Sequence, residues 1–135
     1  MPLPEDISLE GIPLVDTRPG SPVYDLLASD LESGSDDDMA RTLWSDFRAQ
    51  LIPKLESLGD CTDSNQLRRE LHAIRGTSAQ FGLFLLEVFL FFWEMKVSDP
   101  LSELQRFIPA AVAIAEPSIR AIEKSMPHLR GDSLS

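Results

Sequence analysis

The chain has one cysteine, two histidines and no long apolar run, and each scarcity closes off a class of protein. A lone cysteine, Cys61, permits neither a disulfide framework nor a thiolate metal cluster. It falls in a turn and reads as incidental. His72 and His128 share no metal-ligand spacing, and no serine or cysteine nucleophile is paired with a histidine base. No metal site is expected. His128 follows Pro127 in a polar C-terminal stretch and reads as solvated. The most apolar stretch, Phe81 to Trp93, is 13 residues long and is interrupted by Glu87. A membrane-spanning helix needs about 20. The opening MPLPEDISLEG lacks the basic and apolar regions of a signal peptide. The expectation is a cytoplasmic protein without membrane contact.

Basic charge is scarce too, and unevenly so. The net charge is -10, from 22 acids and 12 bases. Residues 1–39 hold ten of the acids against Arg18 alone, leaving twelve acids and eleven bases for residues 40–135. The acidity therefore belongs to a leader, while the remainder is nearly neutral. Nothing supplies the basic face that nucleic-acid binding needs. Five of the ten prolines lie in the first 22 residues. Residues 1–35 thus read as a mostly irregular leader. Val23, Leu26, Leu27 and Leu31 leave room for one short helix that lies across the domain and covers apolar surface. Residues 36–128 form the single domain that this length allows, and 129–135 a disordered tail.

What is present is helical periodicity. Asp36, Asp37 and Asp38 suit a helix N-terminus. Leu43, Phe47, Leu51, Leu55 and Leu58 mark one stripe. Pro53 should kink or split this helix, and Gly59 should end it. With Asp63 or Ser64 as N-cap, a second helix spans about 65–80 and a third about 83–97. Ser98-Asp99-Pro100 forms a turn that starts the last segment, where Pro109 and Pro117 should kink or divide the helix. No strand alternation stands out. Short links between amphipathic helices predict an all-α, antiparallel, up-and-down four-helix bundle with an N-terminal extension.

On the second helix, Leu67, Leu71, Ile74, Ser78 and Phe81 form the core stripe. At 100° per residue, His72 points roughly 140° from the centre of that stripe. Arg68, Arg69, Arg75, Gly76 and Ala79 lie around it on the outer face. An imidazole with an ordinary pKa of about 6.5 is largely neutral, and so nucleophilic, near neutral pH. Arg75, three residues on, can pair with phosphoryl oxygens. Gly76 costs a helix about 1 kcal/mol relative to alanine, a cost that clearance for an approaching partner would explain. Taken singly, each residue has a blander reading: solvated histidine, solubilising arginine, or a glycine that lets helices pack closely.

Together the residues resemble a family. His72-Ala-Ile-Arg-Gly-Thr-Ser-Ala-Gln-Phe-Gly82 is similar to the signature of histidine phosphotransfer (HPt) domains: histidine, two variable positions, a basic residue, glycine, small hydroxyl residues, an apolar position, glycine. Leu86, Leu90, Trp93 and Glu94 follow where that family has an apolar series closed by a Leu-Glu pair. Leu51-Ile-Pro-Lys-Leu55 resembles its proline-containing first bundle helix. The likeness covers roughly residues 38–126. It implies that His72 is the phosphoacceptor, that Arg75 stands in for the usual lysine, and that Gly76 is the clearance glycine. Ser78 and Gly82 would be structural, at the turn between the central helices. Arg68, Arg69 and Ala79 would border the docking surface.

The resemblance implies a phosphohistidine intermediate that relays phosphoryl groups between receiver-domain aspartates of response regulators, with a hybrid histidine kinase as a further partner. It implies no cofactor on this chain, Mg²⁺ being expected on the receiver. No glycine-rich nucleotide loop is present, so the chain is not expected to be an autonomous kinase. A competing reading is an HPt-like domain that binds a partner without phosphoryl chemistry. The aromatic residues Phe81, Phe84, Phe89, Phe91, Phe92 and Trp93 exceed what one core face needs. They suggest either an outward patch for docking or weak dimerisation, or a core covered by the leader. The expected state is a monomer or weak dimer.

Overall fold

The computed structural model describes residues 11–16, 37–96 and 100–126. The chain is all-helical, with no strand among these residues. The elements are α1 (Asp37–Ser57), a 3₁₀ turn (Leu58–Asp60), α2 (Ser64–Gln80), α3 (Phe84–Glu94), α4 (Leu101–Gln105) and α5 (Ile108–Ser125). The four longer helices close a ring of neighbours: α1 packs on α2, α2 on α3, α3 on α5, and α5 on α1. One core cluster fills the centre, with Trp44, Phe89 and Trp93 its largest fully buried side chains.

The start of α2 follows its local chemistry. Asp63 is the N-cap, accepting the Gln66 N–H at 2.8 Å. Gln66 reaches back to accept the Thr62 N–H at 3.0 Å. This reciprocal pair satisfies donors that a helix start otherwise leaves open.

Three features of helix α1 refine the expectation. Its stripe holds at Leu51, Leu55 and Leu58, with Phe47 packed on the core, but begins one residue later: Leu43 is exposed and Trp44 is buried. The indole offers more apolar area to the core than leucine does. Its Nε1 also donates to Glu123 Oε2 on α5 at 3.0 Å, the same oxygen that pairs with Arg48 Nε at 3.0 Å. Secondly, of the two outcomes expected of Pro53, a kink or a split, the helix is not split. Both Pro53 and Ala49, whose carbonyl loses its helical donor, are solvent-exposed, so water can satisfy the orphaned group. Thirdly, Gly59 is no left-handed cap. The helix tightens into the 3₁₀ turn, and Gln105 Nε2 donates to the carbonyls of Leu58, Gly59 and Cys61 at 3.1–3.3 Å.

The last segment divides as its prolines suggest, but only once. Pro109 sits in the first turn of α5, where its missing N–H costs nothing. Pro117 lies inside a continuous α5. There Ser118 Oγ, fully buried, donates to Ile114 O at 2.7 Å. Helix α3 stops at Glu94, short of the expected 97. The leader helix over 22–33, the Ser98-Asp99 part of the turn, His128 and the 129–135 tail lie outside the described residues.

The described part of the leader is irregular and docked. Asp16 N–H donates to Gly82 O at 2.9 Å, and Leu85 N–H donates to Leu14 O at 3.2 Å. Val15 packs against the core. The leader therefore meets the α2–α3 turn, where Gly82 adopts φ +80°, a conformation that costs a side-chain-bearing residue about 1–2 kcal/mol.

Candidate functional site

Burial of Leu67, Leu71, Ile74 and Ser78 turns the opposite side of α2 outward. The His72 side chain is 69 % exposed. On α3, burial of Leu86, Phe89, Leu90 and Trp93 fixes the helix phase and brings Glu94, at its end, against α2 beside His72. Glu94 is mostly buried, and its two oxygens are divided. Oε1 accepts Arg75 Nε at 2.8 Å, and Oε2 lies 3.1 Å from His72 Nδ1. Arg75 Nη2 is 3.2 Å from the same Nδ1. The guanidinium also lies over the Phe91 ring, with Cζ 5.4 Å from its centroid, a cation–π placement.

His72 is thus held at one ring nitrogen only. Nε2 makes no hydrogen bond among the described residues. The two contacts at Nδ1 belong to opposite tautomers: protonated, Nδ1 donates to Glu94 Oε2 and the lone pair is on Nε2; bare, it accepts from Arg75 Nη2, which only donates, and the proton is on Nε2. The bond at one nitrogen sets the chemistry of the other.

Gly76, one turn beyond, is exposed and helical. A Cβ built there meets nothing within 4 Å, so no internal packing requires glycine. Arg68 and Arg69 are exposed and make no ion pair among the described residues. Arg75 differs from the sequence expectation of a solvent-facing cation: it is folded onto α3 and only 25 % exposed. Ala79 is half-buried. Ser78 is fully buried, its carbonyl accepting Leu83 N–H at 2.9 Å across the turn while its Oγ has no partner among the described residues.

Glu94 is the site residue that sequence reasoning passed over. It was visible as the acid that closes the apolar series of α3, but its role depends on the α2–α3 packing. Elsewhere the chemistry is thin. Cys61 is buried, and that burial, followed by the charges of Glu70, Asp63 and Asp60, pushes its thiol pKa up. A groove of about 210 Å³ between α1 and α2 is lined by Phe47, Leu51, Ile74 and Phe81, among others. It lies on the core-stripe side of α2, away from His72. Among the described residues no group of three or more His, Cys, Asp or Glu could hold a metal ion, and no helix is long and apolar enough to cross a membrane. No family model, curated protein or solved structure matches the chain.

Proposed function

We propose that this chain is a cytoplasmic histidine-containing phosphotransfer protein, built as an HPt-like antiparallel four-helix bundle, that relays a phosphoryl group between receiver-domain aspartates through His72. The observation that carries this reading is the asymmetry of the imidazole: Nδ1 faces Glu94 Oε2 and Arg75 Nη2, while Nε2 has no hydrogen bond among the described residues, on a side chain 69 % exposed and one turn from a glycine whose Cβ would meet nothing within 4 Å.

In the tautomer with the proton on Nδ1, the step balances without a base. The Nε2 lone pair attacks the phosphorus of the receiver's aspartyl phosphate. An N–P bond forms, the P–O bond to the aspartyl carboxyl breaks, and the aspartate leaves as carboxylate. Attack places positive charge on a ring that still holds its Nδ1 proton, and Glu94 Oε2 faces that proton. The carboxylate therefore stabilises the product side more than the resting ring. Arg75 contributes cationic charge on the same edge. The receiver supplies its own Mg²⁺ and acidic pocket, and transfer to a second receiver reverses the step. Positioning and electrostatics carry the catalysis.

The test is incubation with phosphorylated receiver domains, followed by assay for acid-labile, base-stable label. Transfer to the wild-type chain and none to His72→Gln is expected. Label that persists in His72→Gln, or no label from any receiver, overturns the reading. A chain that binds receivers without accepting label would be the binding-only protein instead.

A further inference from the structure

Helix α3 has a second face that the core does not use. Phe84, Phe91, Phe92 and Met95 are 38, 43, 36 and 66 % exposed. Phe91 and Met95 are one turn apart, and Phe91 supports the Arg75 guanidinium, which reaches His72. The apolar strip thus runs up to the phosphoacceptor. Arg68 and Arg69, exposed and without ion pairs among the described residues, lie on α2 just before His72.

Area decides what this strip suits. At about 200 Å² per large side chain, the exposed fractions amount to roughly 350–400 Å² of apolar surface. A stable interface buries about 800 Å² on each partner, whereas transient signalling contacts fall below it. Pairing two copies strip to strip would leave a dimer well short of that. The strip is also apolar, and the exposed charge beside His72 is basic, Arg68 and Arg69, so this end of it fits a partner with an apolar patch beside an acidic cluster.

We infer that the phosphoryl-donating receiver docks across α2 and α3 together, with Phe91, Phe92 and Met95 as its apolar anchor and Arg68 and Arg69 facing its acidic pocket. This rests on the phosphotransfer reading, and deepens it by naming the surface. The relay partner then approaches from the Glu94 side of His72 and not only over Gly76 and Ala79.

The experiment uses the full chain and a receiver that labels His72 in the assay above. Phe92→Ser combined with Met95→Ser changes two solvent-facing residues, and circular dichroism checks that the helices are retained. The double variant should raise the KM for phosphorylated receiver about tenfold or more, with a much smaller change in kcat. Arg68→Ala with Arg69→Ala should raise KM at low salt and much less at high salt. An unchanged KM in the Phe92/Met95 variant overturns the inference while leaving phosphotransfer intact. Light scattering that finds a wild-type dimer, dissociated by the same substitutions, also overturns it. Failure of every receiver to label His72 instead removes the function on which it rests.

Discussion

Replacing Gly76 separates what the fold needs from what a partner needs. Glycine in a helix interior is about 1 kcal/mol worse than alanine, and a Cβ at this position meets no atom within 4 Å. Gly76→Ala should therefore stabilise the protein by about 1 kcal/mol, raising Tm by about 4–8 °C for a domain of this size. Gly76→Gln should keep part of that gain, because glutamine is a good helix former. Urea unfolding followed by fluorescence of the buried Trp44 and Trp93 reads the stability. In transfer from a phosphorylated receiver, the glutamine side chain should lower kcat/KM at least about tenfold, equivalent to about 1.4 kcal/mol. Labelling by a small donor such as phosphoramidate should persist, since no domain has to approach. A destabilised Gly76→Ala would show that the fold requires glycine. A Gly76→Gln protein that is more stable and accepts phosphate from receivers at the wild-type rate would refute the clearance argument.

Three further substitutions or conditions test the site and its frame. Glu94→Gln removes the carboxylate that faces His72 Nδ1 and pairs with Arg75, and should slow transfer about tenfold with the helical content unchanged; a wild-type rate would remove Glu94 from the mechanism. Gly82→Ala should destabilise by about 1–2 kcal/mol in urea unfolding, because φ is +80° there. The Cys61 thiol, with its pKa pushed up by burial, should react slowly with iodoacetamide when folded and fast in urea. The folded state then holds this proton longer than the unfolded state. Its contribution to stability is present below the ordinary thiol pKa of about 8.5 and is lost as pH rises above it, and Cys61→Ala should flatten that limb.

Much of α2 was legible because a single helix contains its own evidence. Leu67, Leu71, Ile74 and Ser78 repeat at three and four residues, and all four are buried, so the exposure of His72 followed from local geometry. The one misplaced position of the α1 stripe, its first, has a different origin. Leu43 and Trp44 are adjacent, and periodicity alone tolerates either phase. What chooses Trp44 is Glu123, 79 residues away on α5. Proline left two outcomes open, a kink or a break, for a similar reason: whether Pro53 or Pro117 breaks a helix depends on whether the orphaned carbonyl faces water or core, which only the packed structure decides. The leader's contact with the α2–α3 turn is made through backbone groups of Leu14, Asp16, Gly82 and Leu85, and backbone hydrogen bonds leave almost no signature in side-chain identity.

The same distinction accounts for arginine at position 75, where a lysine stands in the family that the sequence resembles. On a helical wheel Arg75 is one more outward cation, interchangeable with lysine. In the fold its Nε donates to Glu94, its guanidinium plane lies over Phe91, and its Nη2 lies 3.2 Å from His72 Nδ1, where it donates when that nitrogen is bare. A lysine ammonium is a compact point charge on a flexible stem and could not span a carboxylate and an imidazole while covering a ring. The aromatic excess of α3 and the arginine of α2 are therefore one feature. Phe91 gives the guanidinium a surface to lie on, Glu94 fixes its angle, and together they hold the imidazole by one nitrogen so that the other stays free.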